Sequence, residues 1–224
     1  FEQKEGVDIH FHCDAVQALG KTELPFDEMK VDSASFSSHK VSGPKGVGLL
    51  YLDSPLQPLT LGGGQEGGYR PGTENVPAIY AFSLAASRRC AQLEENYRRA
   101  SELKKKMLDC LDDIEGARPL PPLPVHEDFT SYSPYILSFS VAPLPGEVLL
   151  RVMNDRGFAL STGSACSSNA RKKRDRVLRS VGLSEEEALG AVRVSIGWAT
   201  EEQEIDSFCT ALKKELPLLL KTVS

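Results

Sequence analysis

The chain has 224 residues, of which 41% are hydrophobic and 25% charged, and its formal net charge is −5. That length makes one large domain or two small ones, with the composition of a globular protein. The negative balance argues against a general nucleic-acid surface, and no apolar run approaches the ~20 residues of a membrane helix.

The opening Phe1-Glu2-Gln3-Lys4-Glu5 is charged and shows no signal-peptide pattern, and there is no initiator Met. The expectation is a chain whose N-terminal part lies outside this sequence. The five cysteines are odd in number, with no CxxC pair and no His/Cys cluster. This argues against a disulfide framework or a metal site and for a reducing, cytoplasmic setting. Cys90, Cys110 and Cys209 fall in helical patterns and read as small packing residues.

Ile9 to Asp14 alternates and predicts a strand with Ile9, Phe11 and Cys13 on one side. Ala15 to Gly20 predicts a short helical turn closed by glycine. Val31 to Phe36 predicts the next strand, which stops at Ser37-Ser38-His39-Lys40. Gly43, Pro44 and Gly46 then force a turn, and Val47 to Leu52 predicts a third strand. A lysine held at a strand end can form a Schiff base with an aldehyde cofactor, and a neighbouring serine and histidine can hold that cofactor's phosphate. A pair of solvated turn lysines, Lys40 and Lys45, would give the same pattern.

Leu61 to Thr73 is glycine-rich but matches neither the GxxxxGK[ST] loop nor GxGxxG. It reads either as a plain connection or as a loop carrying Arg70 and Thr73 to an anion. A helical pattern runs from Pro77 to Ile114, with Ile79, Phe82, Ala86, Leu93, Leu103, Leu108 and Leu111 along one stripe. Its other face, including Lys104 to Lys106, predicts a solvated surface. A break near Arg88 to Leu93 is expected, with the domain boundary there: residues 1–92 and 93–224.

Pro119, Pro121, Pro122 and Pro124 predict an irregular connection. Strands are then expected at Tyr135–Val141, Phe158–Ser161 and Ala191–Ile196. Helices are expected from Gly146, over Arg174–Val181, after a Ser184/Glu187 capping box, and after a Thr200/Gln203 cap. Ile205, Phe208, Leu212 and Leu216 of the last helix should face a core. This second part reads as a compact α+β domain.

Two further stretches carry chemistry. Cys166 sits in Ser164-Ala165-Cys166-Ser167-Ser168, among residues too small to bury it. The basic run Arg171 to Arg174 follows and would favour a thiolate. An incidental surface cysteine is the other reading. In Ala191 to Gly197, Val192, Val194 and Ile196 share a side opposite Arg193 and Ser195. A guanidinium fork on a rigid strand suits a carboxylate ligand, or a structural ion pair.

Six motifs occur in order: Asp14-x-x-Gln17, Ser35-Phe36-Ser37-x-His39-Lys40, Gly43-Pro44-Lys45-Gly46-x-Gly48, Arg70-x-Gly72-Thr73, Ser164-Ala165-Cys166-Ser167-Ser168 and Arg193-x-Ser195-x-Gly197. Together they resemble the NifS/IscS-like cysteine desulfurases, class V aminotransferases of the pyridoxal-phosphate fold-type I group. The resemblance covers essentially the whole chain, as the C-terminal part of the family chain. The Ser-Ala-Cys-Ser form resembles the branch with the longer cysteine loop. It implies an α/β fold: the C-terminal part of a large, mainly parallel-sheet cofactor domain (1–92) plus a smaller α+β domain (93–224).

By the same resemblance, Lys40 would carry pyridoxal 5'-phosphate as a Schiff base and Asp14 would pair with the ring nitrogen. Gln17 would bond the ring's phenolic oxygen, and Ser37 and His39 the phosphate. Thr73 would reach the phosphate of a neighbouring subunit, which implies a homodimer. Arg193 would hold the L-cysteine carboxylate. Cys166 would take the sulfur as a persulfide, leaving alanine, and pass it to an acceptor or scaffold protein, for iron-sulfur clusters or other sulfur-donor pathways. The family's other cofactor anchors lie further upstream, so this chain alone is expected to be a poor enzyme. No metal, nucleic acid or membrane enters. Selenocysteine lyase, an aminotransferase without persulfide chemistry and an inactive sulfur-trafficking partner stay open as alternatives.

Overall fold

A computed structural model describes residues 9–121, 132–162 and 177–222. The chain divides into two compact units, Phe1–Tyr97 and Arg98–Ser224.

The first unit contains a three-stranded sheet in the order β1 (His12–Asp14), β2 (Ser33–Ser37), β3 (Gly48–Leu52). β1 and β2 run parallel, with Asp14 opposite Ser35. β2 and β3 are antiparallel, with Ser37 opposite Gly48. The short link from Ser37 to Gly48 permits only the antiparallel return, whereas β1 to β2 needs a crossover. That crossover holds turns at 16–20 and a four-residue helix, α1 (Phe26–Met29). The helix expected over Ala15–Gly20 is thus a series of turns, closed by Gly20 at φ +70°. α1 exists because Phe26 stacks on Tyr51 and Phe36, with ring centroids 4.8 and 6.1 Å away. Tertiary aromatic contact, not helix propensity, holds so short a turn.

α2 (Val76–Ala91) starts at Asn75, whose side chain accepts from the Ala78 amide at 3.3 Å, with Pro77 in the first turn. Of its expected stripe, Phe82 is buried, but Ile79 and the neighbouring Leu84 are exposed. Leu49 and Leu50 of β3 are exposed too. Arg89 Nη2 donates to Ser42 Oγ at 3.2 Å, tying α2 to the turn after Lys40.

α3 (Leu93–Asp112) follows after a break at Gln92, inside the expected interval. In the second unit the sheet order is β4 (Arg118–Leu120), β5 (Ile136–Ser140), β6 (Ala191–Ser195), antiparallel throughout. β4 lies where the prolines predict an irregular link. Pro119 is tolerated because β4 is an edge strand pairing only with β5. The strand expected at Phe158–Ser161 reduces to a bridge between Ser161 and Arg193. α4 (Gly146–Asp155), α5 (Glu185–Leu189) and α6 (Glu202–Leu220) complete the described elements, with a helical stretch at 177–180.

Ile205, Phe208, Leu212 and Leu216 are all buried, in one core with Met107, Leu108, Leu111, Phe139, Leu149 and Met153. The Ser184/Glu187 capping box is present. The cap of α6 is Glu201 with Glu204, in place of Thr200 with Gln203. Thr200 Oγ1 is engaged instead by the Gly197 amide at 2.9 Å. Lys104, expected on a solvated face, is only 3% exposed; its Nζ donates to the Ser133 carbonyl at 3.0 Å. Its pKa is lowered by burial.

Candidate functional site

Asp14 ends β1, and its Oδ1 accepts from the Val16 amide at 3.2 Å. This bond turns the chain at the strand end and leaves the carboxylate exposed. Gln17 follows on the same turn. Its Oε1 accepts from Lys21 Nζ at 2.9 Å. Lys21 is half-buried, and its pKa is lowered first by that burial and then by the charge of Lys40. Gln17, Lys21 and Lys40 therefore share one neighbourhood. Lys21 is the residue that sequence reasoning missed; its signal was the four-residue spacing from Gln17.

Lys40 lies in the 3₁₀ turn Ser38–Val41, directly after β2. Ser42, at φ 67°, closes that turn through a bond from its amide to the Ser38 carbonyl. Gly43 donates to the same carbonyl at 3.0 Å. A Cβ on Gly43 would stand 2.2 Å from Ser38 Oγ, so only glycine fits. One residue before Lys40, His39 Nδ1 is 2.7 Å from Ser37 Oγ. Both line an open concavity of about 510 Å³ with Lys45, Gly46, Val47 and Gly48. A hydroxyl, an imidazole and an ammonium around open space suit a phosphoryl group. These residues fit the phosphate end of an aldehyde cofactor, with the Lys40 amine one position from His39.

The loop bearing Thr73 is tied to itself. Arg70 Nη1 donates to the carbonyls of Gly72 and Thr73 at 3.2 and 3.1 Å, and Gln65 Oε1 accepts from the Gly72 amide at 3.2 Å. Arg70 thus shapes the loop through its own backbone, and Thr73 is exposed.

In the second unit Val192 and Val194 are buried, Arg193 half-buried and Ser195 exposed, the predicted alternation. Backbone bonds with Ser161, 2.6 and 3.1 Å, hold Arg193 rigidly. Arg193 Nη2 reaches Ser161 Oγ at 3.4 Å, while its Nε is buried without a hydrogen-bond partner among the described residues. A buried guanidinium N–H without an acceptor is costly, and a carboxylate ligand would satisfy it. Cys166 and the basic run Arg171 to Arg174 lie outside the described residues.

The family model for aminotransferase class-V matches residues 2–208. The chain is 36% identical to the cysteine desulfurase of Homo sapiens over 202 residues, covering 88% of this chain and 42% of that protein. It is 37% identical over 208 residues to the cysteine desulfurase IscS of Clostridium botulinum, covering 92% and 51%. The fold is similar to a solved NifS-like protein with a TM-score of 0.78 at 34% identity, covering 93% of this chain and 52% of that one. The chain spans about half the length of the relatives it matches.

Proposed function

Since the chain belongs to the class-V aminotransferase family, we propose that it carries the lysine, anion-binding and sulfur-accepting parts of a pyridoxal-phosphate-dependent cysteine desulfurase. The observation that carries this reading is the pairing of Ser37 Oγ with His39 Nδ1, 2.7 Å apart, on a concavity that Lys45 also lines, with Lys40 the next residue after His39. Its donors suit a phosphate, and the amine next to it suits an aldehyde.

Bound there, the cofactor supplies an electron sink for the substrate α-carbon. The chain's own residues do the rest. Ser37 and His39 hold the phosphate. The Asp14 carboxylate, fixed by the Val16 amide, keeps a proton on the ring nitrogen. Gln17 has its oxygen occupied by Lys21, which leaves its amide hydrogens for an acceptor such as a phenolic oxygen. The Lys40 amine would hold the cofactor's aldehyde and would serve as the base for the substrate α-proton. Arg193 holds the carboxylate of L-cysteine on a strand too rigid to drift. The Cys166 thiolate would attack the substrate sulfur: an S–S bond forms, the substrate C–S bond breaks, the persulfide stays on Cys166, and the carbon takes a proton and leaves as alanine. Thr73 serves a phosphate across a homodimer interface, and an acceptor protein takes the sulfur.

The test is borohydride reduction in the presence of pyridoxal phosphate, followed by peptide mapping. The expected result is a reduced label on Lys40 alone, lost in Lys40→Arg. A label spread over surface lysines would overturn the reading. In the longer protein that also holds the upstream cofactor anchors, incubation with L-cysteine should give alanine and a persulfide at Cys166, both lost in Cys166→Ala.

A further inference from the structure

α3 and α6 lie side by side and run the same way. Arg99 Nη2 donates to the Thr200 carbonyl at 2.6 Å, Lys106 Nζ pairs with Glu202 at 2.8 Å, and Lys213 Nζ pairs with Asp113 at 2.7 Å. These contacts keep a nearly constant sequence offset of 96 to 101 residues along both helices. Cys110 and Cys209 fall on this register, between the Lys106 and Asp113 pairs. Each lies one turn past a residue of the Lys106–Asp206 ion pair, and their thiols share a hydrogen bond. Cys110 is 6% exposed within the core, while Cys209 is half-buried at its edge.

We propose that Cys110 and Cys209 form an oxidisable dithiol, a modification site whose product is a disulfide stapling α3 to α6, with a hydroperoxide as the two-electron oxidant. The Cys110 sulfur attacks a peroxide oxygen and becomes a sulfenic acid with release of one water. The Cys209 sulfur then attacks that sulfur, an S–S bond forms, and a second water leaves. Two thiols are oxidised and one peroxide is reduced to two waters. The hydrogen bond from Cys209, with Lys213 nearby, holds the Cys110 thiol below the ordinary cysteine value. The same bond and burial push Cys209 up. Ion pairs on both sides fix the register of the two helices around the cysteines. The pair depends on neither Lys40 nor Cys166.

The chain is treated with hydrogen peroxide in molar excess, its free thiols are blocked with N-ethylmaleimide, and it is digested without reductant. Mass spectrometry should find a peptide pair joining Cys110 to Cys209, lighter by two hydrogens than the separate peptides and absent after dithiothreitol. The oxidised chain should unfold at higher urea, reversibly on reduction. Cys209→Ser should abolish the linked peptide and leave a dimedone-reactive sulfenic acid at Cys110. Should that variant not fold, the wild-type map alone decides. Blocked thiols at both positions, a sulfinic acid at Cys110 without linkage, or either cysteine joined elsewhere would each overturn the proposal.

Discussion

Lys21 Nζ is 2.9 Å from Gln17 Oε1, and the like charge that acts on it is that of Lys40. Burial is the larger reason why Lys21 sits below the usual lysine value, and Lys40 adds to it. The Lys40 part is removable. Lys40→Met should raise the Lys21 pKa, since a like charge disfavours the protonated form. Lys40→Arg should not. The measurement is an NMR titration of the labelled Lys21 side chain. Equal values in all three proteins would mean that the two ammonium groups do not share a field. The sign for stability is the reverse of an ion pair's. Below the lowered pKa both states are protonated, and the folded state carries a charge it disfavours. Stability on this account rises as pH climbs from there to 10.5, the ordinary lysine value.

The Ser38 hydroxyl and Gly43 set a steric test of the lysine turn. Gly43→Ala puts a methyl 2.2 Å from Ser38 Oγ and 3.1 Å from the Ser38 carbonyl. It should cost about 1–3 kcal/mol, the usual range for overpacking. Ser38 Oγ is itself buried and, among the described residues, without a hydrogen-bond partner, so Ser38→Ala alone should be near neutral or stabilising. Combining the two should recover much of the loss, because the closer clash is with the deleted oxygen. Urea midpoints of the four proteins form the cycle. Additive effects would show that the turn yields elsewhere.

Glu187 closes a capping box. Its Oε2 accepts from the Ser184 amide at 2.9 Å, and Ser184 Oγ accepts from the Glu187 amide at 3.2 Å. Its pKa is lowered chiefly by the backbone hydrogen bond from Ser184 and next by the Ser184 side chain. A carboxyl with a depressed folded value stabilises fully above its unfolded value. That stability fades as pH falls from 4.5 through the folded value. Glu187→Ala should therefore lower the urea midpoint at pH 7, and the difference from wild type should narrow as pH drops below 4.5. A difference independent of pH would assign the loss to packing.

The parts of the fold legible in the sequence are those that local chemistry decides. The Ser184/Glu187 box, Pro77 in a first helical turn, the break before Leu93 and the apolar face of α6 each depend on neighbours a few positions away. What escaped depends on distant partners. α1 exists because Phe26 meets Tyr51, and β4 survives Pro119 because β5 covers one edge only. Lys104 looked solvated by pattern but spends its ammonium on the Ser133 carbonyl. At the candidate site, Ser37, His39 and Lys40 are neighbours in sequence, and they fall at one strand end and the turn that follows it. The Lys21 ammonium and the Arg193 Nε, which has no partner among the described residues, depend on distant neighbours: one feels the charge of Lys40, and the other is set by a register with Ser161.

That bare Nε makes Arg193 the sharpest test of the substrate assignment. The strand holds the guanidinium by two backbone bonds to Ser161, and Ser161 Oγ engages Nη2 only at 3.4 Å. A carboxylate bridging Nε and an Nη would be bidentate, which a lysine ammonium cannot reproduce. Charge-assisted bonds of this kind contribute about 1.5–3 kcal/mol. Arg193→Lys should therefore raise the KM for L-cysteine by roughly 10- to 100-fold, with a smaller change in kcat. Labelling of Lys40 by pyridoxal phosphate and borohydride should stay as in wild type, since Arg193 is assigned to the substrate and not to the cofactor. Cysteamine, which lacks the carboxylate, should react equally with both proteins. If L-cysteine and cysteamine lost reactivity together, Arg193 would be holding the strand, and the carboxylate would have to be bound elsewhere.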